Sequence, residues 1–329
     1  MKTATFGRRE LLLGSMASLV PWRAHADSYP TRPIQLIVPY APAGVVDLVM
    51  RTVSAQLGPE LGGSVIIQNK PGASGIVGTE YVAKAAPDGY TLIAITASTF
   101  AIGPQLYDKL PYDPLKDFIP IAELSSAPTI LEVPNSLPVQ SVADLVKLAK
   151  EKPGQLNFGS YGIGSAAHLA AELFQIAAGI KLFHIPYKGS GPVLVDLMSG
   201  SAKLALFFDS IPASMPYIKS GALKALAVTS KSRLPELPNV PTLAESYPGF
   251  EMTVWEGVGA PAGTPSGTID RLHSGLVKAM AKDSVRDTLS KLGADPMCTS
   301  PREFSDEIKQ QNSKWKKVLA QIGLQHQHW

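Results

Sequence analysis

Two stretches of this chain have the composition of an anion cradle, each reading as an apolar strand, a loop of small residues and a helix. The first is Val38-Pro39-Tyr40-Ala41-Pro42-Ala43-Gly44-Val45-Val46-Asp47. The second is Phe158-Gly159-Ser160-Tyr161-Gly162-Ile163-Gly164-Ser165-Ala166-Ala167-His168. Small residues let a bound group reach the backbone N–H groups, and the helix start behind them adds partial positive charge. Such a place holds an anion without a basic side chain. Residues 34–50 and 153–180 contain no Lys or Arg, which suits a carboxylate better than a polyphosphate. One such loop alone reads more naturally as an ordinary tight turn. Two, one in each presumed domain, favour a shared site.

Other residues are weaker pointers. Gly162 to Ala167 also fits the G-x-G-x-x-A form of the dinucleotide fingerprint, but the next strand ends Pro186-Tyr187-Lys188 and lacks the acidic ribose partner. His168 stands four residues before Glu172. With no G-x-S-x-G and no H-E-x-x-H in the chain, it reads as a structural histidine bonded to a loop or to the neighbouring domain. Asp209 follows the apolar run Leu204 to Phe208. A carboxylate at the end of a parallel strand faces the crevice where α/β proteins bind ligands, and capping a helix from Ile211 is compatible with that. Tyr187 and Ser98 sit at equivalent strand ends, while Trp255 fits core and cleft wall equally.

The elements that must position these residues follow an α/β rhythm. Strands are predicted at 34–38, 65–68 and 91–96, with helices from Asp47 to about Leu57 and over 76–86, which implies a parallel sheet covered on both faces. Proline-dense residues 104–138 break the pattern, with extended pieces at 118–124 and 129–133, and read as a crossover. The rhythm restarts with strands at 156–160, 181–187, 204–208 and 223–229 and helices between them. Residues 252–258 are extended, and helices are predicted at 266–282, 283–292 and 301–321, the last marked by Ser300-Pro301-Arg302-Glu303. With too few strands to stand alone, this block returns to cover the first domain. The expected fold is α/β: residues 27–125 with 250–329 as one domain, 126–249 as the other.

Charge and composition narrow the setting. The formal net charge of the 329 residues is +3. Lys2, Arg8, Arg9 and Arg23 against Glu10 account for all of it, so residues 27–329 are neutral and nucleic acid is not an expected partner. The basic start, the apolar run Leu11 to Val20 and Ala24-His25-Ala26 have the form of a signal peptide cut after Ala26, which predicts a periplasmic protein. Arg8-Arg9 before Leu11 resembles a twin-arginine signal, and a Sec signal fits as well. No later stretch has 18 consecutive apolar residues, so the mature chain is expected to be soluble. Cys298 is the only cysteine, which excludes an intrachain disulfide and a cysteine-based zinc or iron–sulfur site.

The chain resembles the Bug-type solute-binding proteins of tripartite tricarboxylate transporters. The resemblance rests on Tyr29-Pro30-Thr31-Arg32-Pro33-Ile34, the first loop with Asp47, Asn69-Lys70-Pro71-Gly72-Ala73 and Pro87-Asp88-Gly89-Tyr90-Thr91-Leu92. It continues through Gly159 to Leu169, Pro186-Tyr187-Lys188-Gly189 and Leu237-Pro238-Asn239-Val240-Pro241-Thr242. It implies a periplasmic-binding-protein-like flytrap, two domains hinged by crossing strands, monomeric, with no catalysis, cofactor or metal. In such proteins both loops hold a carboxylate, partly through waters. Carried over, the site comprises Tyr40, Ala41, Pro42, Ala43, Gly44, Val45, Asp47, Ser160, Tyr161, Gly164, Ser165 and His168, with Ser98, Tyr187 and Asp209 reading the rest of the ligand. A two-component membrane permease is the implied partner. The first loop departs from the family pattern: Ala43 replaces a glycine, and Val45-Val46 stand where small or hydroxyl residues are usual. That predicts a ligand with an apolar or aromatic body. An exported oxidoreductase or hydrolase, or a sensor feeding a signalling partner, are the rival readings.

Overall fold

The computed structural model describes residues 29–324 apart from Ala43, Lys188, Ser201 and Ala202. The expected export segment and its cleavage point lie outside the described residues, as does Ala43 of the first loop.

The first lobe begins with β1 (Ile34–Val38), α1 (Val45–Leu61), β2 (Val65–Asn69), α2 (Ile76–Ala83) and β3 (Thr91–Thr96). β1 lies between β2 and β3 and is parallel to both. Its Ile34, Leu36, Ile37 and Val38 are buried, as a strand covered on both faces requires. α1 starts at Val45, two residues earlier than predicted, because Gly44 is the extended N-cap and Asp47 falls at the third helical position. A π-helical turn, Ser98–Ile102, and a short α3 (Gly103–Leu106) follow β3 where the proline content suggested only a crossover.

The two extended pieces predicted next are one 17-residue strand, β4 (Phe118–Pro134). The intervening Ser125 to Pro128 lack apolar alternation, yet they are paired residue by residue with a later strand. Beyond β4 the second lobe comprises α4 (Val142–Glu151), β5 (Asn157–Ser160), α5 (Ala166–Ala178), β6 (Phe183–Pro186), α6 (Ser190–Ser199), β7 (Leu204–Ser210), α7 (Ile211–Lys219) and β8 (Leu223–Val228). β5 is parallel to both β6 and β7. The chain returns through α8 (Leu243–Ser246) and β9 (Thr253–Pro261) to α9 (Ser266–Met280), α10 (Asp283–Lys291), β10 (Asp295–Pro296) and α11 (Pro301–Ile322). Ser300 and Glu303 cap α11 reciprocally, as their spacing predicted.

The strand order is β2-β1-β3-β9-β4-β7-β5-β6, with β8 and β10 also paired to β4. β4 therefore serves both lobes: Phe118 to Pro128 pair with β9, and Thr129 to Glu132 pair with β7. Where it changes neighbours, the Thr229 hydroxyl accepts from the Thr129 N–H at 2.8 Å, and the Met252 N–H donates to the Thr229 carbonyl at 3.1 Å, tying the outgoing and returning crossings together. Gly257 of β9 allows the close approach: a Cβ there would lie 2.2 Å from the Ala122 carbonyl and 2.6 Å from the Phe304 ring. One apolar core runs through both lobes, from Ile93, Ile95 and Phe100 through Trp255, Phe304 and Trp315 to Phe158, Phe174 and Phe208. Trp255 is core, its ring edge-on to Phe304 at 5.7 Å. Among the described residues no helix is long and apolar enough to cross a membrane.

Candidate functional site

Residues following β1, β2, β3 and β5 meet around one cleft of about 280 Å³. Of the predicted site residues, Tyr40, Ser98, Gly164 and Ser165 line it. Ser74, Ile102, Gly103, Leu106 and Tyr107 line it too and were not foreseen, and so does Ile163 of the second loop. A second cleft, of about 190 Å³, lies between α7 and α10, away from both loops.

Asp47 is buried, and both its carboxylate oxygens are engaged within the protein. Arg51 Nε donates to Oδ2 at 2.9 Å, and Asn69 Nδ2 donates to Oδ1 at 2.8 Å. The same Asn69 amide donates to the Tyr40 carbonyl at 3.1 Å, and its Oδ1 accepts from Arg51 Nη2 at 2.9 Å. Asp47 thus stands behind the first loop, where it pins the loop to the end of β2. The Tyr40 hydroxyl shares a 2.8 Å hydrogen bond with Thr96, which is 3.0 Å from the Thr99 hydroxyl. Burial pushes the Tyr40 phenol above its ordinary range, so it is neutral. Ala41, Pro42, Gly44 and Val45 are exposed along the loop.

The second loop is supported differently. Ser160 is fully buried, its Oγ 2.6 Å from His184 Nε2 and accepting from the Gly162 N–H at 3.0 Å. The Gly164 N–H donates to His168 Nδ1 at 3.1 Å, so in the neutral ring the proton is on Nε2, 3.5 Å from Glu172 Oε1. Ser165 is the N-cap of α5: its hydroxyl accepts from the His168 N–H at 3.3 Å and donates to the Gly162 carbonyl at 2.6 Å. Ser160 and His168, expected at the ligand, therefore face the protein interior. His168 bonds to the loop it follows, as a structural histidine there would. Gly164 has φ +77, and a Cβ on it would sit 3.4 Å from Leu106 Cδ2 of the other lobe, so the lobes approach each other there.

The remaining predicted residues do not line this cleft. The Tyr187 hydroxyl donates to Asp196 Oδ2 at 2.8 Å, and burial together with that carboxylate pushes its phenol to about 12. Asp209 is buried and accepts from the Ser190 hydroxyl and, at 2.7 Å, from its neighbour's N–H on Ser210; burial raises its carboxyl. Tyr161 packs edge-on against Phe207 at 6.1 Å.

Ser74 has a readable signal. Gly72, Ala73, Ser74 and Gly75 take φ values of +143, +44, +54 and +96 in succession. Two non-glycine residues in the left-handed region cost roughly 1–2 kcal/mol each, a strain that tends to mark functional loops. The flanking glycines were the available hint. Ile102, Leu106 and Tyr107 come from the unforeseen π-helical turn and α3, and nothing in their spacing announced them.

The cleft lining carries no Lys or Arg. It offers exposed hydroxyls of Ser74 and Ser98, the N-terminus of α5 and an apolar wall of Ile102, Leu106 and Ile163. Among the described residues no group of three His, Cys, Asp or Glu is placed to hold a metal ion. Two α/β lobes joined by shared strands, with a polar-and-apolar cleft between them, define a solute-binding receptor of the flytrap kind.

The chain belongs to the tripartite tricarboxylate transporter family of receptors, whose model matches residues 49–324. It is 38% identical to protein BugT of Bordetella pertussis over 300 residues, covering 91% of each chain. Its fold is similar to that of Rpa4515 of R. palustris, solved with adipate: TM-score 0.75, 38% identity, covering 90% of this chain and 99% of that one. The periplasmic binding protein BugD is similar as well, with a TM-score of 0.73 and 34% identity over 91% of this chain and all of its own.

Proposed function

We propose that the protein is a periplasmic receptor, without catalytic activity, that captures a small carboxylate with an apolar or aromatic body and delivers it to a two-component membrane permease. The observation that carries this is the cleft lining: the hydroxyl residues Ser74, Ser98 and Ser165 and the start of α5, beside the apolar Ile102, Leu106 and Ile163, with no cationic side chain. Adipate, bound by Rpa4515, has an apolar chain of four methylenes between its two carboxylates. The ligand meets Tyr40, Ser98, Gly164 and Ser165 directly, beside the exposed Ala41, Pro42, Gly44 and Val45, while Tyr161 packs behind the second loop on Phe207. Tyr187 and Asp209 join from the second lobe as the domains close, and Asp47, Ser160 and His168 act from behind the loops. The domains are residues 27–125 with 250–329, and 126–249. The change of β4 partners after Pro128 supports that division. Export follows from the signal peptide, cut after Ala26.

A thermal-shift screen tests the reading. Benzoate or adipate at about a hundred times its dissociation constant should stabilise the protein by about 2.7 kcal/mol. Stabilisation by citrate or malate, but by no aromatic or long-chain acid, overturns it.

A further inference from the structure

His184 lies on β6, the last strand of the sheet, next to Phe183, which is 59% exposed. His184 itself is half-buried, with Nε2 2.6 Å from the Ser160 hydroxyl. Its ring is stacked on His168 at 4.1 Å and on Phe158 at 4.8 Å. The two histidines reach the second loop by separate bonds: His184 through the Ser160 hydroxyl, which takes the Gly162 N–H and also lies 3.1 Å from the Gly162 carbonyl, and His168 directly to the Gly164 N–H. Burial, and then His168, push His184 down to about 4, so it stays neutral and able to accept. Gly162 and Gly164 both have positive φ, with the Gly162 N–H held by Ser160 and the Gly164 N–H by His168. Ile163 between them is left facing the cleft, 65% exposed.

We propose that His184, with His168 stacked on it, is a positioning residue for ligand capture: it holds Gly162 and Gly164 inward so that Ile163 and the start of α5 are presented before the ligand arrives. The advantage is preorganisation, since a loop already ordered loses less freedom on binding. The inference rests on the reading of the cleft as the carboxylate site.

The test uses the mature chain with two readouts: amide exchange of Gly162 in the ligand-free protein, and affinity for benzoate and adipate by calorimetry. His184→Phe keeps the stack and the volume but removes the nitrogen. It should speed Gly162 exchange about tenfold and weaken both affinities about tenfold, the size of one hydrogen bond. His184→Gln, which restores a hydrogen-bonding group, should recover both to within about threefold. Unchanged exchange and affinity in His184→Phe, or equal behaviour of the Phe and Gln variants, overturns the proposal. If His184→Phe does not fold, Ser160→Ala replaces it and must raise Gly162 exchange as much; wild-type exchange there overturns it too. A wild type that binds neither probe refutes the carboxylate reading, while Gly162 exchange in the variants still decides the positioning role.

Discussion

The first cradle is braced by charge: Asp47, at the third position of α1, meets Arg51 and an asparagine from the end of β2. The second is braced by a histidine pair: His168, at the third position of α5, stacks on His184 of β6, which in turn bonds Ser160. β2 stands beside β1 as β6 stands beside β5. The two braces therefore occupy matching places, one residue from the first helical turn and one from the neighbouring strand. The architecture prescribes where a loop is pinned and leaves the chemistry of the pin open. One consequence is that the lobes should respond differently to substitution and to acid.

The largest difference should come from Asn69→Leu. It deprives a buried carboxylate of its amide donor and leaves the Tyr40 carbonyl bare, at a cost of about 2–3 kcal/mol in urea unfolding. His184→Phe, which breaks a neutral bond, should cost about 1 kcal/mol. Equal costs would erase the distinction between the braces.

Acid gives the next largest effect. The unfolded His184 ring protonates near its ordinary value of 6.5, whereas the folded one holds out to about 4. Its contribution is thus complete above 6.5 and is lost as pH falls through 4, by no more than about 2 kcal/mol for a half-exposed ring. Glu132, raised by burial and then by Asp209 to about 8, has the opposite sign: its contribution is present below its unfolded value and lost as pH rises through 8. The histidine effect must therefore be read as a difference between proteins. The acid loss should be smaller in His184→Phe than in wild type, as measured by denaturation at pH 7 and pH 4.5. The same loss in His184→Phe as in wild type would assign it elsewhere.

The smallest stability effects belong to the open face of the site. Ser98→Ala and Ser74→Ala remove exposed hydroxyls and should change stability by less than about 0.5 kcal/mol. Each should weaken benzoate or adipate binding several-fold, roughly the worth of one hydrogen bond. Unaltered affinity in both would leave the backbone of the two loops as the whole anion site.

Much of this arrangement was legible in the residues. Short apolar runs closed by small residues marked β1, β3 and β5, and with them both loops, because strand burial and turn chemistry are local properties. His168 was legible as a structural histidine and Asp47 only as a helix start, and the partners of both, His184 and Asn69, are brought near only by strand pairing. Ser125 to Pro128 gave no sign of continuing β4, because their hydrogen bonds come from β9, more than a hundred residues later. The apolar wall at Ile102 and Leu106 was hidden for the same kind of reason: a π-helical turn has no sequence period of its own to read.

The position of β9 has a consequence for how the molecule comes into being. It is the only strand between β3 and β4 in the sheet order, yet it is made after the whole second lobe. Until Pro261 has left the ribosome, β3 has no partner on that side and the outgoing half of β4 has nothing to pair with along Phe118 to Pro128. The second lobe can assemble its own strands early, but the first stays an open sheet edge while it waits. Pairings of such long sequence separation form slowly. A chain that emerges N-terminus first therefore holds both neighbours of β9 before β9 itself, and the two halves of the sheet are joined there only by that late strand.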